Sequence, residues 1–144
     1  MADDLMSVVV WKNLLIDGRD YCALSHTADG WLLKGTVIGV LKNERPMLAN
    51  YEIYCDENWL THRVQVDRTI GSDVKSLELS VESGGLWRSS GQELRDVHGC
   101  EDVDLAVTHP RPILCRSGVS TCKSGAASQS LPLGSSSLSL RFNH

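Results

Sequence analysis

Two carboxylates, Asp102 and Asp104, stand two residues apart among Val103, Leu105 and Val107. On an extended strand that spacing puts both on one face, with Cβ atoms roughly 7 Å apart. Paired carboxylates at such a distance can serve glycoside hydrolysis or hold a hard cation. One strand offers no third oxygen ligand and nothing to divide the pair into acid and base, so a hydrogen-bonded structural role outweighs both. Trp59 and Trp87 each sit beside polar residues at a predicted strand end. A partly exposed indole there could stack on a sugar ring or an apolar tail, against the plainer reading of packing at the sheet rim. Arg63 falls on the polar side of an alternating run. Its planar fork could grip a phosphate or carboxylate, against the plainer reading of a solvated strand charge. His98 and Cys100 could begin a metal site, but no second pair stands at ligand spacing. The five cysteines, Cys22, Cys55, Cys100, Cys115 and Cys122, contain no Cys-x-x-Cys pair, which favours reduced, buried thiols over zinc or redox chemistry. Nucleophile-elbow, P-loop and dinucleotide fingerprints are absent from the sequence. No catalytic residue, metal or cofactor is assigned.

The elements that must position these residues read as β. Tyr51, Ile53 and Cys55 alternate with Glu52, Tyr54 and Asp56, and Val64 and Val66 alternate with Arg63, Gln65 and Asp67. Leu77, Leu79 and Val81 repeat the pattern against Glu78, Ser80 and Glu82, as do Val103, Leu105 and Val107 against Asp102 and Asp104. A period of two with one apolar side is the signature of a sheet packed on one face. Strands are expected around Val9, Val37, Ile53, Val64, Leu79 and Leu105. Turn residues separate them: Asp29-Gly30, Asn43 to Pro46, Asp56-Glu57-Asn58, Gly71-Ser72-Asp73, Gly84-Gly85 and Ser90-Gly91. Gly35 and Gly39 inside the apolar run 31–41 predict a bulge or a sharply curved strand. A short helical turn over 92–97 is the one helical feature foreseen before residue 107. The fold class is therefore mainly β, a curved antiparallel sheet that meanders.

Charge divides the 144-residue chain in two. Residues 1–107 hold all 18 acids and 10 of the 14 bases, a net of −8, whereas residues 108–144 hold four bases (Arg111, Arg116, Lys123 and Arg141) and no acid. An acidic body lacks the clustered Lys and Arg that phosphate backbones require, which argues against nucleic acid. No apolar run approaches a membrane span, and the acidic start Met-Ala-Asp-Asp lacks a signal peptide's basic region; a cytoplasmic location is expected. Nine of the last 37 residues are Ser and no alternation persists among them. Such a segment buries too little apolar surface to offset its ordering entropy, so an irregular, disordered tail over 108–144 is expected beside a β domain over 1–107.

The ordered motifs of the body carry a resemblance. Trp11, Cys22-Ala-Leu, Asp29-Gly30 and Gly35-Thr-Val are followed by Pro46, Tyr51-Glu-Ile, Asp56, Trp59 and Thr61-His-Arg-Val-Gln-Val. Gly85-Leu-Trp87 and Gly99-Cys-Glu-Asp-Val-Asp-Leu105 complete the set, the last being the most specific. Over about three quarters of its length the chain resembles the bacterial glycolipid-binding family. The resemblance implies a spiral β-roll, a curved sheet rolled around a helix, a homodimer, and a glycolipid or other apolar small ligand. Family members continue past the Asp-Val-Asp-Leu strand with Thr-Asn-Thr-Leu-Pro-Ile-Arg-Arg-Leu and further strands, and this chain does not. Ser90-Gly91 also replaces the family's usual Asp-Gly.

The genetic code accounts for that departure. Codons built from the third base of one residue and the first two of the next permit Ala-Thr-Asn-Thr over 110–114 and Leu-Pro-Ile-Arg-Arg-Leu through Val119-Ser120. Over 130–137 they permit Thr-Ala-Ala-Trp-Val-Lys-Phe. The tail is therefore expected to be a frameshift product beginning near Thr108 and His109, leaving an incomplete and impaired roll. The function expected is non-catalytic lipid or glycolipid binding through Trp59, Arg63, Trp87, Asp102 and Asp104. The alternatives are a hydrolase using Asp102 or Asp104 and a dimeric scaffold without a small ligand.

Overall fold

The computed structural model describes residues 3–13, 16–42, 44–97, 102–106, 128–133 and 136–143, the last three segments and residue 96 by their backbone only. The strands are β1 (Asp4–Asn13), β2 (Asp17–Thr27), β3 (Gly30–Val40), β4 (Pro46–Cys55), β5 (Thr61–Ile70), β6 (Asp73–Glu82), β7 (Leu86–Ser89) and β8 (Gln92–Glu93). A 3-10 turn, Arg95–Val97, follows, then β9 (Asp102–Ala106), β10 (Ser128–Leu133) and β11 (Ser136–Asn143). The first eight strands form one antiparallel sheet in sequential order, and its ends, β1 and β8, do not pair with each other. The protein is thus mainly β, with a curved, unclosed sheet, as its alternation requires.

The short connections are built by local chemistry. Ser90 and Gly91 both adopt positive φ, 48° and 82°, which a two-residue turn joining twisted strands demands. No α-helix occurs among the described residues, so the helix implied by the resemblance is not seen there; the turn foreseen over 92–97 shrinks to Arg95–Val97. Within the segment expected to be irregular, residues 107–127 lie outside the described ones, while β10 and β11 form a hairpin whose second strand pairs with β9.

One face of the large sheet holds the core. Cys22, Val37, Ala49, Tyr51, Val64, Val66, Leu77, Leu79 and Trp87 alternate inward from successive strands, and Leu94 and Val97 close over them beside β7. The outer face carries Lys34, Glu52, Arg63, Asp67 and Glu78, the polar half of each alternation. Gly35 is not a bulge: β3 keeps unbroken register with both neighbours, and the register shifts lie at Leu5/Ser7 and Tyr54/Cys55. Gly35 is needed because the ring of Tyr51, its partner on β4, lies across it, where any Cβ would overlap the phenol. Arg68 is buried among these apolar residues, and desolvation depresses its guanidinium below the ordinary value.

Strand β1 departs from this order. As a sheet edge it leaves both its faces open: Leu5, Met6, Val8, Val9, Val10 and Trp11 are all exposed. A long apolar edge without proline is the kind of strand that recruits another.

Candidate functional site

At the Asp4 end of the sheet, four strands bring together an aromatic cluster. Asp4, His26, Trp31 and Cys55 are register neighbours across β1 to β4. The loop from β4 to β5 adds Trp59, whose ring stacks on Trp31 at 4.6 Å between centroids and 12° between planes. His26 meets Trp31 edge-on at 4.7 Å, and its Nε2 lies 3.1 Å from Glu57 Oε1.

Asp56 builds this loop. Its carboxylate Oδ1 accepts from the backbone N–H groups of Asn58 and Leu60 at 2.8 and 2.9 Å. Its own N–H donates to Leu60 O, and its carbonyl accepts from Trp59 N–H, both at 3.0 Å. Four bonds within five residues hold Trp59 at φ 67°, a left-handed conformation that costs a bulky residue about 1–3 kcal/mol. The stack on Trp31, worth about 0.5–1.5 kcal/mol, offsets part of that strain. The turn between β2 and β3 presses on the same loop: Gly30, at φ 131°, leaves no room for a Cβ against the Cys55 carbonyl. The result is a rigid shelf. One indole face rests on Trp31, and Trp59 remains 48% exposed.

The other residues singled out in the sequence lie elsewhere. Trp87 has no exposed surface and sits in the middle of the core; a ring there packs and cannot meet a ligand at the rim. Arg63 projects from the outer face, where Glu78 holds its Nη2 at 3.0 Å and the guanidinium lies 5.7 Å from the Tyr54 ring centroid. It is not brought to Trp59, whose partner Trp31 alternates with the inward set Leu33, Gly35 and Val37. Asp102 and Asp104 lie on β9, register-paired with Asn143 and Arg141, and their side chains are outside the described residues. His98, Cys100, Cys115 and Cys122 are outside them as well, while Cys22 and Cys55 are buried and not disulfide-bonded. Among the described residues no group of three His, Cys, Asp or Glu side chains could hold a metal ion, and no helix is long and apolar enough to cross a membrane.

A family model described as "Putative glycolipid-binding" matches residues 8–110, most of the chain. The chain belongs to this family. The match takes in the inner-face strands, the Asp56 loop and Trp59. No curated protein and no solved structure matches the chain.

Sequence reading missed Trp31, His26 and Glu57 as members of the cluster. Trp31 read as one more apolar residue of β3, and His26 has no patterned neighbour. The Asp56-Glu57-Asn58 turn marked the loop but not the handedness of Trp59. Only the pairing of β2, β3 and β4 joins residues 31 positions apart in the chain.

Proposed function

We propose that the protein is a non-catalytic binder of a ligand with an apolar portion and a sugar or other polar head. The observation that carries this reading is the Trp59 ring, fixed against Trp31 with its other face toward solvent. An indole face stacks on the C–H face of a sugar ring or on an acyl chain. The His26–Glu57 pair beside it supplies polar atoms for hydroxyl groups. Strand β1 starts beside this shelf, with Val9 and Trp11 exposed on its inner side, an apolar patch that can receive part of a lipid tail. The family's description supports the glycolipid class. Asp102 and Asp104 stay within the proposal as secondary contacts, and Arg63 as a contact from the outer face. The buried Cys22 and Cys55, without a disulfide, fit the reducing cytoplasm.

Titration with an environment-sensitive lipid probe tests the reading. Saturation at one site is expected, and Trp59→Ala should weaken it by roughly 1–3 kcal/mol. Equal affinity in a folded variant would return Trp59 to a packing role.

The open edge of β1 favours a second reading, a dimeric scaffold. Antiparallel self-pairing about Val8 sets Asp4 opposite Lys12 and Leu5 opposite Trp11, so opposite charges meet at both ends. We also infer that the residues from about His109 onward derive from a shifted reading frame. The family match ending at residue 110 supports this, as do the codons that restore the family's motif. Nucleotides that do not encode that motif in the shifted frame would refute it.

A further inference from the structure

The outer face of the large sheet, opposite the Trp59 shelf, carries a cavity of about 500 Å³ that the proposed function leaves unused. That volume falls within the roughly 300–1,000 Å³ of small-molecule sites. Its floor is made by two inward-facing positions and one small outward-facing residue. Gly35 and its partner Tyr51 both occupy inward-facing positions, so only their backbone faces the cavity between the outward residues of β3 and β4. Ala23, on β2 opposite Lys34, leaves the adjoining position shallow. Around this floor stand Tyr21, Thr36, Asn50, Gln65 and Asp67, each from the polar half of its strand.

The lysine at the cavity is already matched. Lys34 Nζ lies 2.6 Å from Glu52 Oε1, and Tyr54 donates its hydroxyl to Glu52 Oε2 at 2.7 Å. These bonds lower the Glu52 carboxyl below its usual range and raise Lys34 and Tyr54. Asp67 accepts a hydrogen bond from Ser76. Thr36 donates to Asn50 Oδ1 at 2.8 Å, which uses the amide oxygen and leaves the two N–H donors of that side chain outside this bond. The Gln65 amide and the Tyr21 hydroxyl have no hydrogen bond among the described residues. Neutral donors and acceptors beside a half-exposed phenol ring, with no unmatched cation, suit hydroxyl groups and disfavour phosphate or sulfate.

We propose that this cavity binds a neutral saccharide, at a site separate from the Trp59 shelf and independent of the reading given to it. Tyr21 provides the ring on which a pyranose face lies, and Asn50 and Gln65 provide the paired donors and acceptors for adjacent hydroxyls. Nuclear magnetic resonance titration of the full chain with maltose, lactose and trehalose tests it. Saturable shifts are expected for the Asn50 and Gln65 side-chain amides and the Gly35 backbone amide with at least one of these sugars. Ala23→Leu fills the floor and should abolish them, and Gln65→Leu should do so through the opposite wall; Trp59→Ala should leave them unchanged. Resonances of β6 that stay in place show that each variant is folded. Absence of saturation with all three sugars would overturn the proposal. So would shifts that survive both groove variants, or that appear with glucose 6-phosphate and none of the neutral sugars. Lipid-probe affinity left unchanged by Trp59→Ala, with these shifts present, would count against the Trp59 reading alone.

Discussion

At the residue scale, the two tryptophans with similar sequence surroundings have opposite fates. Trp87 is fully buried against Leu79 and its neighbours. Trp87→Ala should therefore destabilise the fold by about 3–5 kcal/mol, read as a lowered denaturant midpoint. Trp59→Ala should leave that midpoint nearly unchanged, because the substitution removes an exposed ring and relieves a strained backbone only in part. Asp20 gives a second residue-scale expectation. It accepts the Tyr51 hydroxyl at 3.1 Å, and burial raises its carboxyl above the usual range more than that bond lowers it. A raised folded-state value means the folded protein holds the proton more tightly than the unfolded chain. The associated stability is present below the unfolded value and lost as pH rises through the folded one. Asp20→Asn keeps an acceptor for Tyr51 without the charge. Thermal melts at about pH 3 and about pH 7 should show the variant gaining on the parent at the higher pH. An equal offset at both would remove Asp20 as the source. Glu52, held below its usual range by Lys34 and Tyr54, acts in the opposite sense, its stability being lost as pH falls.

At the scale of elements, β1 and the β3–β4 pair carry different liabilities. Gly35→Ala places a methyl into the Tyr51 ring and should cost about 1–3 kcal/mol through overpacking. Tyr51→Ala combined with it should recover less than additively expected loss, since the two act at one contact; denaturant melts of the single and double variants measure that coupling. The β1 edge governs association. Val8→Lys puts like charges opposite each other in a self-paired edge and should shift sedimentation toward monomer. An unchanged distribution would place the association surface elsewhere.

At the scale of the whole molecule, an unclosed sheet must cover its inner face with whatever follows β8. Leu94 and Val97 cover the Trp87 end, whereas the β1 end keeps Val9 and Trp11 open. Apolar surface of this kind binds hydrophobic dyes and promotes aggregation. The chain should show a β-type circular dichroism spectrum, strong dye binding and a broad melt. A sharp cooperative melt with clean monomeric or dimeric elution would contradict that. Ligand occupancy of the β1 patch should sharpen the transition, because whatever binds the folded state alone stabilises it.

The alternation of Ile53, Val64, Val66, Leu77 and Leu79 with charged neighbours determined the class of fold and the inner face from sequence alone, since side-chain direction on a strand has a period of two. The turn pairs marked where the strands end for a similar reason, the steric limits on positive φ. Periodicity does not say which strand lies at an edge or how a loop folds back. It therefore left Trp59 and Trp87 indistinguishable, one held at the rim and one at the centre of the core. It set Arg63 beside Trp59 in chain order, yet alternation across β5 turns Arg63 outward to Glu78. The Trp31–Trp59 stack, the His26–Glu57 pair and the hollow over Gly35 arise from contacts between strands, and their geometry was decided only by tertiary register.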